Sequence, residues 1–271
     1  MQKIDHTSND SAQRIWNKNP LGSRISNATP GSEKYFAELR RYRYDYETPF
    51  ISRLFRFKQL NGMEVLEVGT GNGIDAVEML KHGAIYTGID ITAKHIELTA
   101  KNLQINGHQA KLIHRDLLEI EWQQKFDCIY SFGVTHHIAH EEAYFKVFYS
   151  LLHNDGKLML ALYSKHSVFN FYLLISYLIQ NRAKNTLNEW RSYITEQTPL
   201  NQPVVIKIRS KREIKKLLQK YGFNIERHYK RGFVQNYLPF IGKYFKPDGK
   251  FLNALGSLLG WYHIIIAKKI N

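Results

Sequence analysis

From Glu64 onward, short apolar runs alternate with stretches in which apolar residues recur every three or four positions. A strand buried on both faces reads as a short continuous apolar run, so this alternation is the pattern of β-α-β units on a parallel sheet. It predicts strands over 64–68, 84–89, 110–114, 126–131 and 157–162, with helices near 74–82, 93–106 and 141–152. Upstream, residues 1–32 are rich in Asn, Ser, Gly and Pro and read as an irregular arm. Residues 33–57 read as a helix crowded with tyrosines and arginines. The alternation stops over 164–203, where 169–179 forms an apolar helical piece followed by a polar run through Trp190. It resumes at Ser210-Lys-Arg-Glu213, a capping box opening a helix that Gly222 ends. In that helix Ile214, Leu217, Leu218 and Tyr221 share one face and the lysines the other. Strands over 223–229 and 261–268 bring the total to seven.

Composition narrows the class. With 44% hydrophobic and 23% charged residues the chain is not wholly disordered. The longest apolar run, 169–179, is far shorter than the ~18–20 residues that span a bilayer. The first ten residues lack the apolar core of a signal peptide, and the single cysteine, Cys128, forms no internal disulfide. A cytoplasmic protein without a transmembrane segment is expected, and the lack of a cysteine cluster points to no metal. The net charge of +14 is uneven: residues 1–150 hold 18 Lys+Arg and 18 Asp+Glu, whereas 151–271 hold 20 against 6. That C-terminal part either meets something anionic (nucleic acid, a membrane surface or an acidic small-molecule acceptor) or presents a solvated basic face. Within 207–231, half of ten basic residues fall on the outer face of the capped helix. Nucleic acid is therefore not an expected partner beyond this charge.

The candidate chemistry begins at Glu64-Val-Leu-Glu67-Val-Gly69-Thr70-Gly71-Asn-Gly73, a strand entering a glycine-rich turn and a helix. Such turns let a ligand approach the backbone and the N–H groups of the following helix. Ile74 stands where a dinucleotide-binding turn places its third glycine, and no Gly-Lys-Ser/Thr follows, so neither a dinucleotide site nor a P-loop is indicated. Asp90 ends the second strand, where a carboxylate can accept both hydroxyls of a ribose. Asp116 follows the third strand, and Phe132, His136 and His137 follow the fourth.

This ordered set resembles the class I S-adenosylmethionine-dependent methyltransferases of the small-molecule type 11 and type 12 branch, over residues 60–165 and more loosely to 271. The Asn19–Ser23 stretch and the 38–49 helix resemble the lead-in of a bacterial subgroup. The resemblance implies an α/β Rossmann-like fold: a seven-stranded, mostly parallel sheet with helices on both faces, an antiparallel last strand and an N-terminal helical lid. It divides the chain into an arm and lid at 1–58 and a catalytic domain at 59–271 with a helical insertion at about 164–205. The implied cofactor is S-adenosyl-L-methionine, with S-adenosyl-L-homocysteine as product. Gly69, Gly71 and Gly73 would line its methionine part and Glu67 would position its ammonium. Asp90 would hold the ribose with Ile91 against the adenine, Asp116 and Leu117 would meet the adenine edge, and Phe132 would sit near the sulfonium. Thr70 replaces the usual Cys or Ser and Asn154-Asp155-Gly156 the usual Pro-Gly-Gly, neither of which disturbs these roles.

The implied reaction is methyl transfer to O or N of a small-molecule metabolite. RNA-directed methylation through the basic C-terminal part and a non-methylating use of the cofactor, such as cyclisation, are the alternatives. His136 and His137 are the candidate bases, one of them catalytic and the other packing, with His140 a third. Tyr163 and His166 leave the fifth strand toward the acceptor. Tyr35, Tyr42, Tyr44 and Tyr46 either close over the acceptor or pack the helix on the sheet. The 169–179 helix reads equally as lid, dimer contact or core, so monomer and homodimer both remain open.

Overall fold

Seven strands form one sheet: β1 (Glu64–Val68), β2 (Ile85–Asp90), β3 (Lys111–His114), β4 (Phe126–Phe132), β5 (Leu152–Tyr163), β6 (Phe223–Arg231) and β7 (Tyr262–Lys269). The computed structural model describes residues 13–17, 25–180 and 184–270; the Asn19–Ser23 stretch of the expected arm lies outside them. The spatial order is β3-β2-β1-β4-β5-β7-β6. β1 to β5 run parallel, while β7 lies antiparallel between β5 and β6. The longer helices are α1 (Glu33–Arg41), α2 (Ile74–Lys81), α3 (Ala93–Ile105), α4 (Glu141–Leu151), α5 (Val168–Gln180), α6 (Leu187–Thr195), α7 (Lys211–Lys220) and α8 (Lys250–Leu259).

Side-chain alternation along the strands creates two cores, one on each face. Val65, Tyr130, Met159, Ala161, Ile264 and Ile266 pack against α2 and the segment from Phe50 to Leu60. Leu66, Ile129, Leu158, Leu160, Ile265 and Ala267 pack against Phe145 and Phe148 of α4 and Ile214 and Leu218 of α7. The expected Rossmann-like, mostly parallel sheet with helices on both faces is what the chain forms. Its strand order reverses between β1 and β4, and the crevice beyond the carboxyl ends of those strands is where open α/β sheets bind ligands.

The 33–57 region departs from the single expected helix. Ser32 caps α1, its hydroxyl accepting from the Tyr35 N–H at 3.2 Å. The chain then widens into a π-helix over Tyr42–Glu47 and leaves helical geometry at Thr48 (φ −138°, ψ 53°). Pro49 disfavours helical backbone at the residue before it, which ends the element there. A single α-turn at Ile51–Leu54 follows. Downstream, both capping boxes close: Ser210 with Glu213 on α7, as expected, and Thr186 with Glu189 on α6, which the sequence reading passed over. α8 was likewise not foreseen.

Gly73 caps the start of α2 with φ +68°, and a Cβ there would lie 2.9 Å from Thr99 Cγ2 and 3.0 Å from Thr99 Cα. It permits close approach of α2 to α3 and stands outside the cleft wall, where a cofactor contact was expected. Gly73→Ala should cost roughly 1–3 kcal/mol, from left-handed strain and overpacking together. A urea-denaturation midpoint equal to that of the wild type would show the turn is more tolerant than this geometry allows.

Candidate active site

One cleft of about 580 Å³ opens at the carboxyl ends of β1, β2 and β4. Its floor is the β1–α2 turn. Gly69 turns with φ +88°, and a Cβ on it would fall 2.1 Å from Val134 Cγ2, so only glycine brings this backbone so near the β4 loop. Asp90 closes one side. Its carboxylate accepts from the Thr92 N–H at 2.8 Å and the Gly71 N–H at 3.2 Å, and lies 3.2 Å from His95 Nδ1. Burial works to raise the Asp90 pKa, but the His95 ring and the two backbone donors outweigh it and hold the carboxyl below the usual carboxylate range. Ile91 and Leu117 give this end apolar walls.

A buried polar cluster stands behind the turn. Arg43 from the π-helix grips Asp75 of α2 with two nitrogens, at 3.2 and 2.5 Å. Tyr44 and Tyr130 hydroxyls donate to the same carboxylate at 2.7 and 2.6 Å. Burial opposes ionisation of Asp75, yet Arg43 and these donors keep its pKa low. The Arg43 guanidinium also lies 3.9 Å from the Phe132 ring centroid. Glu67 accepts from the Tyr86 hydroxyl. Burial and the neighbouring Asp75 charge push the Glu67 carboxyl well above its usual range, against the Tyr86 hydrogen bond and Arg43. A cation placed beside Glu67 would favour its ionised form.

The opposite end is aromatic. Tyr163 stacks on Trp261 with centroids 4.4 Å apart, and Phe169 meets Trp261 edge-on at 4.9 Å. His137 lines this end together with Glu196, the residue that ends α6. Its Nδ1 is 2.8 Å from the Val205 carbonyl, which assigns the proton to Nδ1 and leaves Nε2 as an acceptor. Nε2 lies 3.5 Å from Glu196 Oε1, and that oxygen accepts from the Tyr163 hydroxyl at 2.9 Å. Two acceptors therefore lie side by side, close enough for one donor beside them to reach either.

The structure brings Glu67, Gly69, Thr70, Gly71, Asp90, Ile91, Leu117, Phe132, His137, Tyr42 and Tyr163 to the cleft wall. Besides Gly73, five expected residues stand elsewhere. Asp116 turns away to accept from the Leu118 N–H at 2.9 Å and the Tyr144 hydroxyl at 2.7 Å. Tyr35 is fully buried with Phe36, Leu39 and Leu98, because α1 puts it on the face packed against α3. His166 is exposed past the end of β5, its carbonyl accepting from Lys230. His136 is fully buried, its ring 3.8 Å from that of Tyr163 and 4.2 Å from that of His137. Neither of its ring nitrogens finds a hydrogen-bond partner among the described residues. His140 is exposed at the start of α4.

Burial, reinforced by His137 and Arg209, holds His136 neutral well below the usual imidazole pKa. Below about pH 6.5 the unfolded chain takes up a proton that folded His136 refuses, so stability falls as pH falls. His228 and His263, depressed to about 4 and about 3 mainly by burial, act in the same direction. His136→Phe should flatten, without abolishing, the loss of melting temperature between pH 7.5 and 5. An unchanged slope would place the proton uptake in the other two histidines alone.

A seven-stranded sheet in this order, with a glycine turn after β1 and an acidic residue ending β2 on one crevice, is the architecture of class I S-adenosylmethionine-dependent methyltransferases. The chain belongs to the methyltransferase-domain family, whose model matches residues 36–228. It is 26% identical over 215 residues to a ubiquinone biosynthesis O-methyltransferase of Actinobacillus pleuropneumoniae, covering 74% of this chain and 83% of that one. It is also 26% identical over 165 residues to a protein of Geobacillus sp. (strain WCH70) named as a methyltransferase, spanning 59% of this chain and 64% of that one. Its fold is similar to the magnesium protoporphyrin IX methyltransferase of Synechocystis PCC 6803 crystallised with S-adenosylmethionine. That match has a TM-score of 0.58 at 15% identity and covers 99% of both chains.

Proposed function

We propose that the chain transfers a methyl group from S-adenosylmethionine to an oxygen or nitrogen of a small molecule held between His137, Glu196 and the aromatic end of the cleft. The observation that carries this reading is the continuity of one cleft from the Asp90 and glycine-turn end to the His137–Glu196 pair. The residues at the first end fit the cofactor: a glycine cradle, a buried ionised carboxylate at a strand end, and apolar walls at Ile91 and Leu117. Asp90 would accept the ribose hydroxyls, and Glu67 and Arg43 would meet the ammonium and carboxylate of the methionine part. When bound, the cofactor supplies a methyl on a sulfonium, an electrophile that needs no activation of its leaving group.

The remaining work falls to this chain. Tyr163, Trp261 and Phe169 would exclude water around the acceptor, and its hydroxyl or amine would donate to His137 Nε2 from beside the pair. His137 Nε2 would take that proton as the acceptor attacks, and Glu196 would stabilise the imidazolium that results. The π-helix would serve as a lid, since Tyr42, Arg43, Tyr46 and Glu47 all face the cleft.

With Glu67 inclined to protonation and Asp75 paired with Arg43, the cleft wall still carries Glu47, Asp90 and Glu196 against Arg115, and no residue of 207–231. This balance favours a neutral or cationic acceptor over an anionic one, and the cleft wall itself offers RNA no basic groove. Incubating the protein with labelled S-adenosylmethionine and panels of phenols, amines and transfer RNA tests the proposal. Label in a phenol or amine supports it. Label in RNA alone, or cofactor consumption with no methylated acceptor, would replace it.

A further inference from the structure

The helix α5 is amphipathic the wrong way round. Asn170, Leu173 and Ser176 face the protein, while Phe171, Tyr172, Ile175, Leu178 and Ile179 are exposed on one continuous stripe at helical spacing. Ile179 is 77% exposed. A second apolar projection comes from the segment between β6 and β7. There Phe240 is 92% exposed at a left-handed backbone position (φ +67°), with Ile241 and Tyr244 beside it in sequence. α8 repeats the arrangement, leaving Phe251, Leu258 and Leu259 exposed. The pieces are neighbours. The Lys230 ammonium donates both to the His166 carbonyl just before α5 and to the Leu258 carbonyl in α8, and Phe245 stacks on Phe251 at 4.3 Å. They border the aromatic end of the cleft, whose wall includes Phe169 of α5 and Trp261 after α8. Exposed apolar patches of this extent mark an interaction surface.

Charge identifies the partner. Segments 164–184 and 228–261 together carry eight Lys+Arg and a single acidic residue, Asp248. Asp248 is itself engaged by Arg53 at 2.7 Å. A second copy docking through this face would bring like charges together, whereas an anionic surface would neutralise them. No helix among the described residues is long and apolar enough to cross a membrane. We propose that α5, the 240–244 tip and α8 form a peripheral docking face for a bilayer rich in anionic lipid. Its aromatic and aliphatic side chains would enter the headgroup boundary while the surrounding lysines and arginines meet lipid phosphates. This surface takes up part of the basic excess that the cleft does not use, the outer face of α7 carrying much of the rest.

The test is co-sedimentation of the full chain with vesicles of phosphatidylglycerol and phosphatidylcholine, against vesicles of phosphatidylcholine alone. Binding is expected only with phosphatidylglycerol present, weakening as salt is raised. The triple variant Phe171→Ser, Leu178→Ser and Phe240→Ser should bind at least about tenfold more weakly, because partitioning scales with buried apolar area. Lys243→Glu with Lys246→Glu should weaken it comparably. Phe240→Ser alone, at an exposed tip, serves should the triple variant lose its circular-dichroism signature. S-adenosylhomocysteine affinity should not change in any of these variants. Absence of vesicle binding at low salt, or binding that the serine variants leave intact, overturns the proposal. A concentration-dependent dimer that the same serine substitutions dissolve would overturn it in favour of self-association.

Discussion

His137→Ala is expected to lower kcat by about 10²-fold or more on the acceptor that the panel identifies, a typical contribution of a positioned general base. The expectation rests on the assigned tautomer: with Nδ1–H held by the Val205 carbonyl, Nε2 has only one task open to it. Affinity for S-adenosylhomocysteine should be nearly unchanged, because His137 stands at the aromatic end, away from Asp90 and the glycine turn. Glu196→Gln keeps the shape but removes the charge that would stabilise the imidazolium, so a smaller loss of about tenfold is expected. His136→Phe is the contrasting case. Its ring lies outside the cleft, so it should move stability and its pH dependence more than turnover. If His137→Ala retains wild-type kcat across pH 6–9, proton removal is not part of catalysis, and the pair only shapes the acceptor site.

The two neighbouring histidines show what a sequence can and cannot convey. That a chemical group follows β4 was readable, because a strand-end loop beside a glycine turn is where open α/β sheets place their chemistry. Which histidine turns inward was not. A 3-10 turn at Thr135–His137 decides it by sending one ring under Tyr163 and the other into the cleft. The fold was more legible, since a strand buried on both faces and a capping box are local signals, and β1, α3 and α7 lie within a residue or two of where their patterns put them. The 33–57 helix failed because tyrosines and arginines suit helical spacing whether the turn is α or π. The π-helix brings Arg43 to Asp75, a contact no local pattern announces, whereas Pro49 did mark where the helix ends. Asp75 reads as an ordinary acidic residue in a helix's first turn, and Glu196 as one more polar residue in the 164–205 insertion. Neither carries a motif, because each becomes part of the site through contacts with residues more than thirty positions away. A Thr186–Glu189 capping box was the one available signal for α6, and hence for the place of Glu196.

Asp90→Ala should weaken S-adenosylhomocysteine binding by roughly 1.5–3 kcal/mol, the range for hydrogen bonds to a charged group. The structure sharpens this expectation in two ways. The carboxylate is buried and held ionised, so it offers strong acceptor sites in a place where water competes poorly. It also ties the glycine turn to the start of α3 by accepting from both the Gly71 and Thr92 N–H groups, so removing it would loosen the cradle as well as the ribose contact. Asp90→Asn separates the two effects. Its side-chain oxygen can still accept from one backbone N–H, while its amide offers a donor where a ribose hydroxyl needs an acceptor. If the ribose contact dominates, Asn and Ala should be similarly damaging to calorimetric affinity, while the Asn variant retains more of the wild-type melting temperature. If turn support dominates, Asn should recover most of both. An affinity unchanged in both variants would remove Asp90 from the cofactor site altogether. The glycine turn would then need another acceptor for the ribose, and Glu67, buried and inclined to protonation on the neighbouring strand, is poorly suited to that role.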